Sequence, residues 1–338
     1  MGEHSGGVPD APGSGPTRRW LASWLAAAAV LALVAIALAA ATVTGPSHGS
    51  ASHTSPAAVT TAAASTAATP SVGAGLVGPE LSAPAQTRGD VCRGRRTPTL
   101  RVLQFNIRAG MSGTGDVDLA QIANEIEAVH PDLVSLNEVD NGTLRTRVDE
   151  PSYLAEATGL HAVYGPNLDY DGGRFGNAVL TRYPVVDARN LRLPGTFGLE
   201  PRGLLTVVVR VEGHRIAFSS THLSDGGAGR QSRTLQALAV AGALRSSAAP
   251  TILAGDLNSV PTDLPVRILR RFLLDAQEEG GTGEGDTIPE PSPAARFDYV
   301  LYDEHLAVVP GSTRVRSSAS SDHAAVSTEL TLLPGHGC

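Results

Sequence analysis

The sequence has little of several residue types, and each scarcity excludes a class of site. None of the 26 basic residues among its 338 residues is lysine, a bias to which we assign no function. It has only two cysteines, Cys92 and Cys338, and neither has a second cysteine near it in the sequence. A catalytic thiol and a zinc site are therefore not indicated. It has neither a serine-nucleophile elbow nor a zinc-binding helix motif, which argues against peptide and carbohydrate hydrolysis.

Positive charge and tryptophan are scarce after residue 96. Residues 97–338 hold 20 arginines against 29 acidic residues, a formal charge of -9. They have no overall positive field to attract nucleic acids or anionic lipids, so such contacts would need locally placed arginines and bound metal. Both tryptophans, Trp20 and Trp24, precede this part. The remaining sequence offers no tryptophan and no obvious aromatic hairpin for insertion into a bilayer.

An apolar segment occupies residues 20–43. Its stretch from Leu21 to Ala41 has no charge and is long enough to span a membrane. Arg18 and Arg19 precede it, so the positive-inside rule places residues 1–19 in the cytoplasm and the rest of the chain outside. Its small residues also suit a cleaved signal peptide. We predict export, as a single-pass cell-membrane protein with an extracellular catalytic domain, or as a secreted protein if the segment is cleaved.

Residues 44–96 predict a disordered linker, because they are rich in Ala, Ser, Thr and Pro and have little apolar surface to bury. Cys92 and Cys338 lie at the two ends of the part that we expect to fold. In an exported protein, an even number of cysteines favours a disulfide between Cys92 and Cys338, with two free thiols as the alternative.

Residues 97–338 have the length of one large domain and alternate between strand and helix patterns. An apolar face of Leu119, Ile122, Ile126 and Val129 predicts one helix, a second begins near Pro151, and Leu235, Leu238 and Ala239 mark the face of a third. Strands are predicted at Leu100–Asn106, Leu133–Leu136, Ala178–Thr181, Leu204–Val211, Arg215–Ser220, Thr251–Ala254, Tyr299–Tyr302 and Ala324–Leu332. This mixture predicts an α/β protein with mixed sheets.

Polar side chains are concentrated at the ends of several of these strands. They are Asn106, Glu138, Thr221-His222, Asp256 with Asn258, Asp298, and Ser321-Asp322-His323. Any one of them would suit a turn, but the set of carboxylates, amides and histidines suits a hard cation such as Mg²⁺. A phosphate attacked by water needs those components: a metal ion, an acceptor for the proton of the water, and donors to the phosphoryl oxygens.

The order of these motifs resembles the endonuclease/exonuclease/phosphatase superfamily. The motifs are Leu103–Ile107, Leu136–Val139, Gly176–Pro184, Ser220–Leu223, Ala254–Asn258, Arg296–Val300 and Ser321–His323, and they span nearly all of residues 100–332. The resemblance implies a deoxyribonuclease I-like, four-layer α/β sandwich, with two packed mixed β-sheets, helices outside them and a metal site at one edge.

The resemblance also implies a metal site. Glu138 corresponds to the principal Mg²⁺ ligand, with Asn106 and Asp322 in or near the same ligand shell. Mn²⁺ or another hard divalent cation is the alternative metal. Asn137 departs from the family, in which many members have glutamine at this position.

For catalysis, the resemblance implies that Asp256 positions or deprotonates the attacking water and that Asn258 donates to a phosphoryl oxygen. His323, with Asp298 as its carboxylate partner, binds the phosphate or transfers a proton, a pairing that also follows from the chemistry of histidine. His222 corresponds to a second histidine in some branches of the family.

Substrate contacts are predicted less directly. Arg145 and Arg147 follow Glu138, and Tyr170 and Arg174 precede the motif that contains Asn177. We predict that these five side chains contact the substrate. The alternatives are that the arginines are merely solvated and that the segment after Tyr170 is a glycine-containing turn. Glu200 and Arg202 are predicted to form an ion pair near the site.

The sequence as a whole predicts an exported, Mg²⁺-dependent phosphoesterase. The predicted substrate is a phosphodiester in a nucleic acid. The alternative is a membrane phospholipid, cleaved at a phosphodiester or a phosphomonoester. A non-catalytic binding module would be expected to lack Glu138, Asp256 or His323, and all three are present. We predict no protein partner and a monomer, in contact with the membrane through its N-terminal segment.

Overall fold

The computed structural model describes residues 97–112 and 115–335. They belong to one compact unit, Glu80–Cys338. The predicted segments 1–19, 20–43 and 44–96, together with both cysteines, lie outside the described residues. In the described part, no helix is long and apolar enough to cross a membrane.

The described chain forms thirteen strands and five α-helices. The strands are β1 (Thr99–Asn106), β2 (Leu133–Asn141), β3 (His161–Tyr170), β4 (Gly173–Thr181), β5 (Val185–Arg192), β6 (Gly203–Val211), β7 (His214–His222), β8 (Thr251–Asp256), β9 (Leu274–Asp275), β10 (Asp298–Tyr302), β11 (Leu306–Val308), β12 (Arg314–Arg316) and β13 (Ala325–Leu332). The helices are α1 (Leu119–Glu127), α2 (Glu150–Thr158), α3 (Arg230–Arg245), α4 (Leu264–Leu269) and α5 (Ala276–Gly280), and Arg108–Gly110 forms a 3₁₀ turn.

The strands form two mixed sheets. The first sheet has the order β11-β13-β1-β2-β4-β3, with β12 also paired to β13, and the second has the order β5-β6-β7-β8-β10-β9. In each sheet one central pair is parallel, β1 with β2 and β7 with β8, and the other pairs are antiparallel.

Alternation along the strands divides the apolar side chains into three cores. On β1, Val102 packs between the two sheets, whereas Leu103 and Phe105 face the helix side of the first sheet together with Ile122 of α1. A third core lies between the second sheet and helices α3 and α4. The layers are therefore helices, sheet, sheet and helices, which confirms the predicted four-layer α/β sandwich.

Helix α3 forms where predicted, but the predicted face is wrong. Leu235 and Leu238 are exposed, and the side turned inward includes Arg233 and Gln236. Gln236 Oε1 accepts a hydrogen bond from the Ser224 N–H at 2.9 Å, and Arg233 Nη1 donates to the Ser224 carbonyl oxygen at 2.8 Å. These polar contacts with the preceding loop fix the rotation of the helix, and apolar periodicity does not reveal them.

The core between the sheets determines stability. Phe218 is fully buried there, and we expect Phe218→Ala to lower the free energy of unfolding by about 3–5 kcal/mol, because the substitution leaves a cavity between two sheets. Phe197 is fully exposed, so Phe197→Ala should change it by less than about 0.5 kcal/mol. Denaturant unfolding of both variants tests this, and equal effects would contradict the assignment of this core.

Candidate functional site

The layer between the sheets changes from apolar to polar at one end. On β8, Ile252 and Ala254 face the inter-sheet core, and the next inward-facing residue is Asp256. Asp256 pairs in register with Asp298 on β10 and with His222 on β7. The period of two along each strand therefore brings side chains from separate strands to the same edge.

The Asn137 side chain connects the two sheets at this edge. Its Nδ2 donates to Asn177 Oδ1 on β4 and to the Thr221 carbonyl oxygen on β7, both at 3.0 Å. Its Oδ1 accepts from Gln104 Nε2 at 2.7 Å and from the Asp256 N–H at 3.0 Å. All of these groups are buried, so this one amide fixes the spacing of four strands.

A bulge in β2 brings Glu138 to the site. Leu136 pairs with Ala178 and Val139 with Gly176, so Asn137 and Glu138 together oppose the single residue between them on β4. Glu138 has a φ of 56°, in the left-handed region. The extra residue allows Glu138 to reach the cleft while Val139 remains in the core between the first sheet and its helices.

Asn106 holds two carboxylates near one another. Its Nδ2 donates to Glu138 Oε1 and to Asp256 Oδ2, both at 3.1 Å. Burial raises the pKa of Asp256 to about 7 and the negative charge of Asp298 acts in the same direction, while His323 and hydrogen bonds from Asn258 and Asn106 lower it. A carboxylate with a pKa near neutrality can accept a proton from water.

His323 and Asp298 form the predicted pair. His323 Nδ1 lies 2.8 Å from Asp298 Oδ2, and His323 Nε2 lies 3.7 Å from Asp256 Oδ2. Thr287 Oγ1 donates to the same Asp298 oxygen at 2.7 Å. Burial acts to lower the pKa of His323, but the charge and hydrogen bond of Asp298 outweigh it and raise the pKa to about 10. His323 is therefore cationic at neutral pH.

His222 has the opposite environment. Arg202 Nη1 lies 3.0 Å from His222 Nδ1, and a guanidinium only donates, so Nδ1 acts as the acceptor and the ring proton is on Nε2. Burial, followed by the positive charge of Arg202 and of His323, lowers the pKa of His222 well below its usual value. Nε2 lies 3.4 Å from Asp256 Oδ2. His222 is thus a neutral side chain directed toward Asp256.

Arg202 and Asn258 complete this side of the site. Arg202 is buried and forms the predicted ion pair with Glu200, with an N–O distance of 2.6 Å, and a longer one with Asp225 at 3.6 Å. Asn258 donates from its N–H to Asp256 Oδ1 at 2.8 Å, and its Nδ2 lies 2.9 Å from His222 Nε2. Its φ of 46° is left-handed, a conformation that asparagine tolerates better than most residues.

These side chains surround a cleft of about 240 Å³. The residues that line it are Glu138, Arg145, Tyr170, Phe175, Glu200, Arg202, His222, Asp225, Asp256, Asn258 and His323. Arg145 forms a bidentate ion pair with buried Asp140, at 2.7 Å from Nε and 2.8 Å from Nη2. Its guanidinium lies 4.8 Å from the centre of the Tyr170 ring and 5.4 Å from that of Phe175. The cleft therefore has one wall formed by a fixed arginine and two aromatic rings.

The other predicted residues lie elsewhere. Asn177 is buried beneath the cleft and donates to the Gly203 carbonyl oxygen at 3.2 Å. Asp322 lies 3.5 Å from Arg108 Nε and does not line the cleft, and neither do the exposed Arg147 and Arg174. Their predicted roles in binding substrate or metal remain predictions.

The donor set fits a hard divalent cation. Asp256, Asp298 and His323 form a buried group whose ligand atoms lie within 4.8 Å of one another and could hold an ion. However, both Asp298 oxygens already accept hydrogen bonds, from Gln104, Thr287 and His323. Both oxygens of Asp256 also accept hydrogen bonds, from Asn258 and Asn106. Glu138 accepts only the bond from Asn106 within the described residues, so we favour Glu138 as the carboxylate available to a metal ion.

The sequence analysis missed three supporting residues. Gln104 is fully buried and donates to Asn137 and Asp298, and it occupies the same face of β1 as Asn106 because the two are two residues apart. This spacing of two residues indicates that Gln104 lies on the same side of the sheet as the site. Asn137 was noticed only as a departure from the family, and Asp140, which holds Arg145, has no pattern that distinguishes it from a surface aspartate.

Comparisons with known proteins agree with this geometry. A sequence profile described as "Endonuclease/Exonuclease/phosphatase family" matches residues 103–323. The uncharacterized protein YbhP of Escherichia coli (strain K12) is 27% identical over 248 residues, which cover 69% of this chain and 97% of that protein. The matched part of the chain therefore corresponds to nearly a whole protein in that relative, and we expect it to fold on its own.

Two solved structures are also similar. An endonuclease/exonuclease/phosphatase from Beutenbergia cavernae DSM 12333 has a TM-score of 0.60 and 29% identity, covering 70% of this chain and 72% of that one. A mannosyl-6-phosphatase from Bacteroides thetaiotaomicron VPI-5482 has a TM-score of 0.56 and 20% identity, covering 68% of this chain and 99% of that one. The second comparison concerns the fold alone.

Asn137 should be essential for stability. Asn137→Ala leaves Asn177 Oδ1, the Thr221 carbonyl and the Asp256 N–H without a partner in the buried layer. Because each such group costs about 1–3 kcal/mol, we expect unfolding to become easier by at least about 3 kcal/mol. Asn124→Ala, on the exposed side of α1, is the control and should be within about 0.5 kcal/mol of wild type in denaturant unfolding. A loss of under about 1 kcal/mol at Asn137 would contradict this role.

Glu150 should make stability depend on pH. Burial raises its pKa from 4.5 to about 8, although a hydrogen bond from the Asp140 N–H acts to lower it. The folded state thus binds the proton more tightly, so stability decreases as pH rises between these two values and is lost no further above them. From about pH 5 to about pH 8.5 the Tm of wild type should fall at least about 5 °C more than that of Glu150→Gln. Identical pH dependence in thermal unfolding would contradict a proton on Glu150.

Proposed function

Because the chain belongs to the endonuclease/exonuclease/phosphatase family, whose members hydrolyse phosphate esters, we propose that it is an exported, Mg²⁺-dependent phosphodiesterase that uses an activated water molecule. The observation that supports this most directly is the convergence of Glu138, Asp256, Asn258 and the His323–Asp298 pair on one cleft. Export is part of the proposal because of the apolar segment at residues 20–43.

The side chains divide the reaction among them. Asp256 has a pKa of about 7, raised by burial, and accepts the proton of the attacking water. Cationic His323 faces Asp256 and neutralises charge on the phosphoryl group or protonates the leaving oxygen. Asn258 and neutral His222 lie side by side at the same edge, with 2.9 Å between Asn258 Nδ2 and His222 Nε2, and we assign them to contacts with the phosphoryl group.

Glu138 would hold the metal ion, and Asn106 fixes the distance between its carboxylate and that of Asp256. A bound Mg²⁺ or Mn²⁺ would supply positive charge near the phosphoryl oxygens. The protein contributes orientation: the bulge in β2 presents Glu138, and the Asn137 bridge keeps Asp256 opposite it.

Two substrate classes follow from the sequence. A nucleic acid is the first, supported by Arg145, which lines the cleft beside two aromatic rings. A phospholipid is the second, and a specific observation favours it: the exposed Phe197 lies in a loop that ends at the cleft residues Glu200 and Arg202.

The test is hydrolysis by residues 80–338 of supercoiled plasmid, phosphatidylcholine and bis(p-nitrophenyl) phosphate. We expect activity on at least one of them that requires Mg²⁺ and is abolished by EDTA. His323→Ala should lower kcat/KM by about 10²–10⁴-fold, because it removes a positioned proton donor. Glu138→Gln should raise the Mg²⁺ concentration needed for half-maximal rate.

His161→Ala is the matched control, because His161 is exposed at the start of β3 and does not line the cleft. Its activity should equal that of wild type. Plasmid nicking would assign the enzyme to the nucleases, and phosphatidylcholine hydrolysis to the lipid phosphodiesterases. Folded protein that is inactive on all three substrates with either metal would refute the proposed phosphodiesterase.

A further inference from the structure

Three large apolar side chains are exposed on segments that also contribute residues to the cleft. They are Leu144, Tyr170 and Phe197, with exposed fractions of 63%, 42% and 104%. We call them the apolar rim. Exposed apolar groups scattered over a surface need no explanation, but a set on segments that all reach one cleft indicates an interaction site.

Phe197 is presented by an anchored turn. The loop between β5 and β6 is closed at its base by the Leu193 N–H, which donates to the Arg202 carbonyl at 2.9 Å. Its tip is closed by the Leu199 N–H, which donates to the Thr196 carbonyl at 3.1 Å. Thr196 is also bonded to Ser232 of α3, with 2.8 Å between the hydroxyl oxygens. Phe197 therefore points into solvent from a fixed loop.

Leu144 and Tyr170 are held on the other side of the opening. The Leu144 N–H donates to the Asp171 carbonyl at 2.7 Å, which joins the β2–α2 loop to the turn between β3 and β4. Tyr170 itself lines the cleft, and Leu144 precedes Arg145, which does so too. Phe197 lies three residues before Glu200, another residue of the cleft. The rim thus draws on segments of both sheets.

Charge does not give this surface an affinity for a binding partner, but the burial of its apolar side chains does. Arg145 and Arg202, the arginines of the cleft, are paired with Asp140 and Glu200, and residues 97–338 carry a net charge of -9. Neither an anionic polymer nor an anionic membrane is attracted by such a surface. Leucine, tyrosine and phenylalanine gain free energy by leaving water for the boundary of a bilayer.

The sequence predicts a membrane anchor outside the described residues. The predicted span ends at residue 43, and the predicted linker runs from 44 to 96. A flexible linker of that length extends roughly 40 Å on average. A domain tethered in this way stays within reach of the outer surface of the bilayer that holds the span.

We propose that the apolar rim inserts into a zwitterionic phospholipid bilayer and so places a headgroup phosphodiester at the mouth of the cleft. The choice of substrate rests on the proposed function, whereas the docking itself does not. Hydrolysis would then act on lipid in the membrane, and the apolar contacts would make binding insensitive to salt.

The experiment measures co-sedimentation of residues 80–338 with phosphatidylcholine vesicles at low and high salt. We expect binding that salt does not weaken. The double variant Leu144→Ser with Phe197→Ser should lower the partition coefficient at least about tenfold, since two large apolar groups no longer enter the bilayer. Leu274→Ser is the control: Leu274 is 43% exposed but pairs with Tyr302, at the end of β10 away from Asp298, and its loss should leave binding unchanged.

Three results would overturn the proposal: no binding of wild type, equal loss of binding in the control, or a rim that instead forms a dimer of the chain, detected by sedimentation and lost in the double variant. Hydrolysis of soluble bis(p-nitrophenyl) phosphate is measured in parallel. Its rate should be the same in the double variant and wild type, because neither substituted residue contacts the reacting groups. Vesicle binding by protein that is inactive on all three substrates would refute the proposed function and leave the docking surface intact.

Discussion

The amide of Asn137 is the contact on which the rest of the site depends. One side chain satisfies groups on β1, β4, β7 and β8, across both sheets. Other polar contacts join the sheets near this edge, such as that of Ser135 Oγ with Ser220 Oγ at 2.8 Å, but most of the inter-sheet layer is apolar. Apolar contacts tolerate small shifts, whereas a buried amide tolerates few because its donors and acceptors have direction. The catalytic edge is therefore the part of the inter-sheet layer where spacing is fixed by hydrogen bonds, and Asp256 inherits its position from that spacing.

The two histidines show how one edge supports two different protonation states. His323 has Asp298 as its partner and His222 has Arg202, so the pKa of the first is raised to about 10, after burial is outweighed by Asp298, and that of the second is lowered by burial and by Arg202. Similar rings only a few ångströms from the same carboxylate thus become a cation and a neutral donor. The difference in protonation comes from Asp298 and Arg202, which are distant from the two histidines in sequence and form no local motif with them.

Much of the fold follows from the sequence because it depends on local periodicity. The predicted strand Leu100–Asn106 is β1 almost to the residue, and the hairpin around Glu212 joins β6 and β7. Strand β5 was not predicted, because nearly all of its residues are exposed at the edge of the second sheet and it has no alternating pattern. The face of α3 was wrong for a related reason: Arg233 and Gln236 are buried by hydrogen bonds with a loop, and hydropathy treats both as surface residues.

The candidate site was predictable in its membership and less so in its connections. Most of the motifs lie at or near strand ends, so the gathering of Glu138, Asp256 and His323 follows once the two sheets pack. The ion pair of Arg145 with Asp140, five residues earlier, and the position of Phe197 depend on the paths of irregular loops. Contacts made by irregular segments have no periodic signature, which is also why the sequence suggested no apolar surface beside the cleft.

The bulge in β2 limits how the active site can change over evolution. Asn137, which connects the sheets, and Glu138, the acidic side chain of the site, are adjacent in sequence. Together they oppose a single residue of β4, so both depend on the one extra residue of the bulge. Deleting one residue of this stretch would restore a regular strand, and one of the two side chains would then either be lost or face the helices. Point substitutions can alter the chemistry of Glu138, but relocating it requires a change of chain length, so lineages that abandon catalysis should lose the side chain long before they lose the bulge.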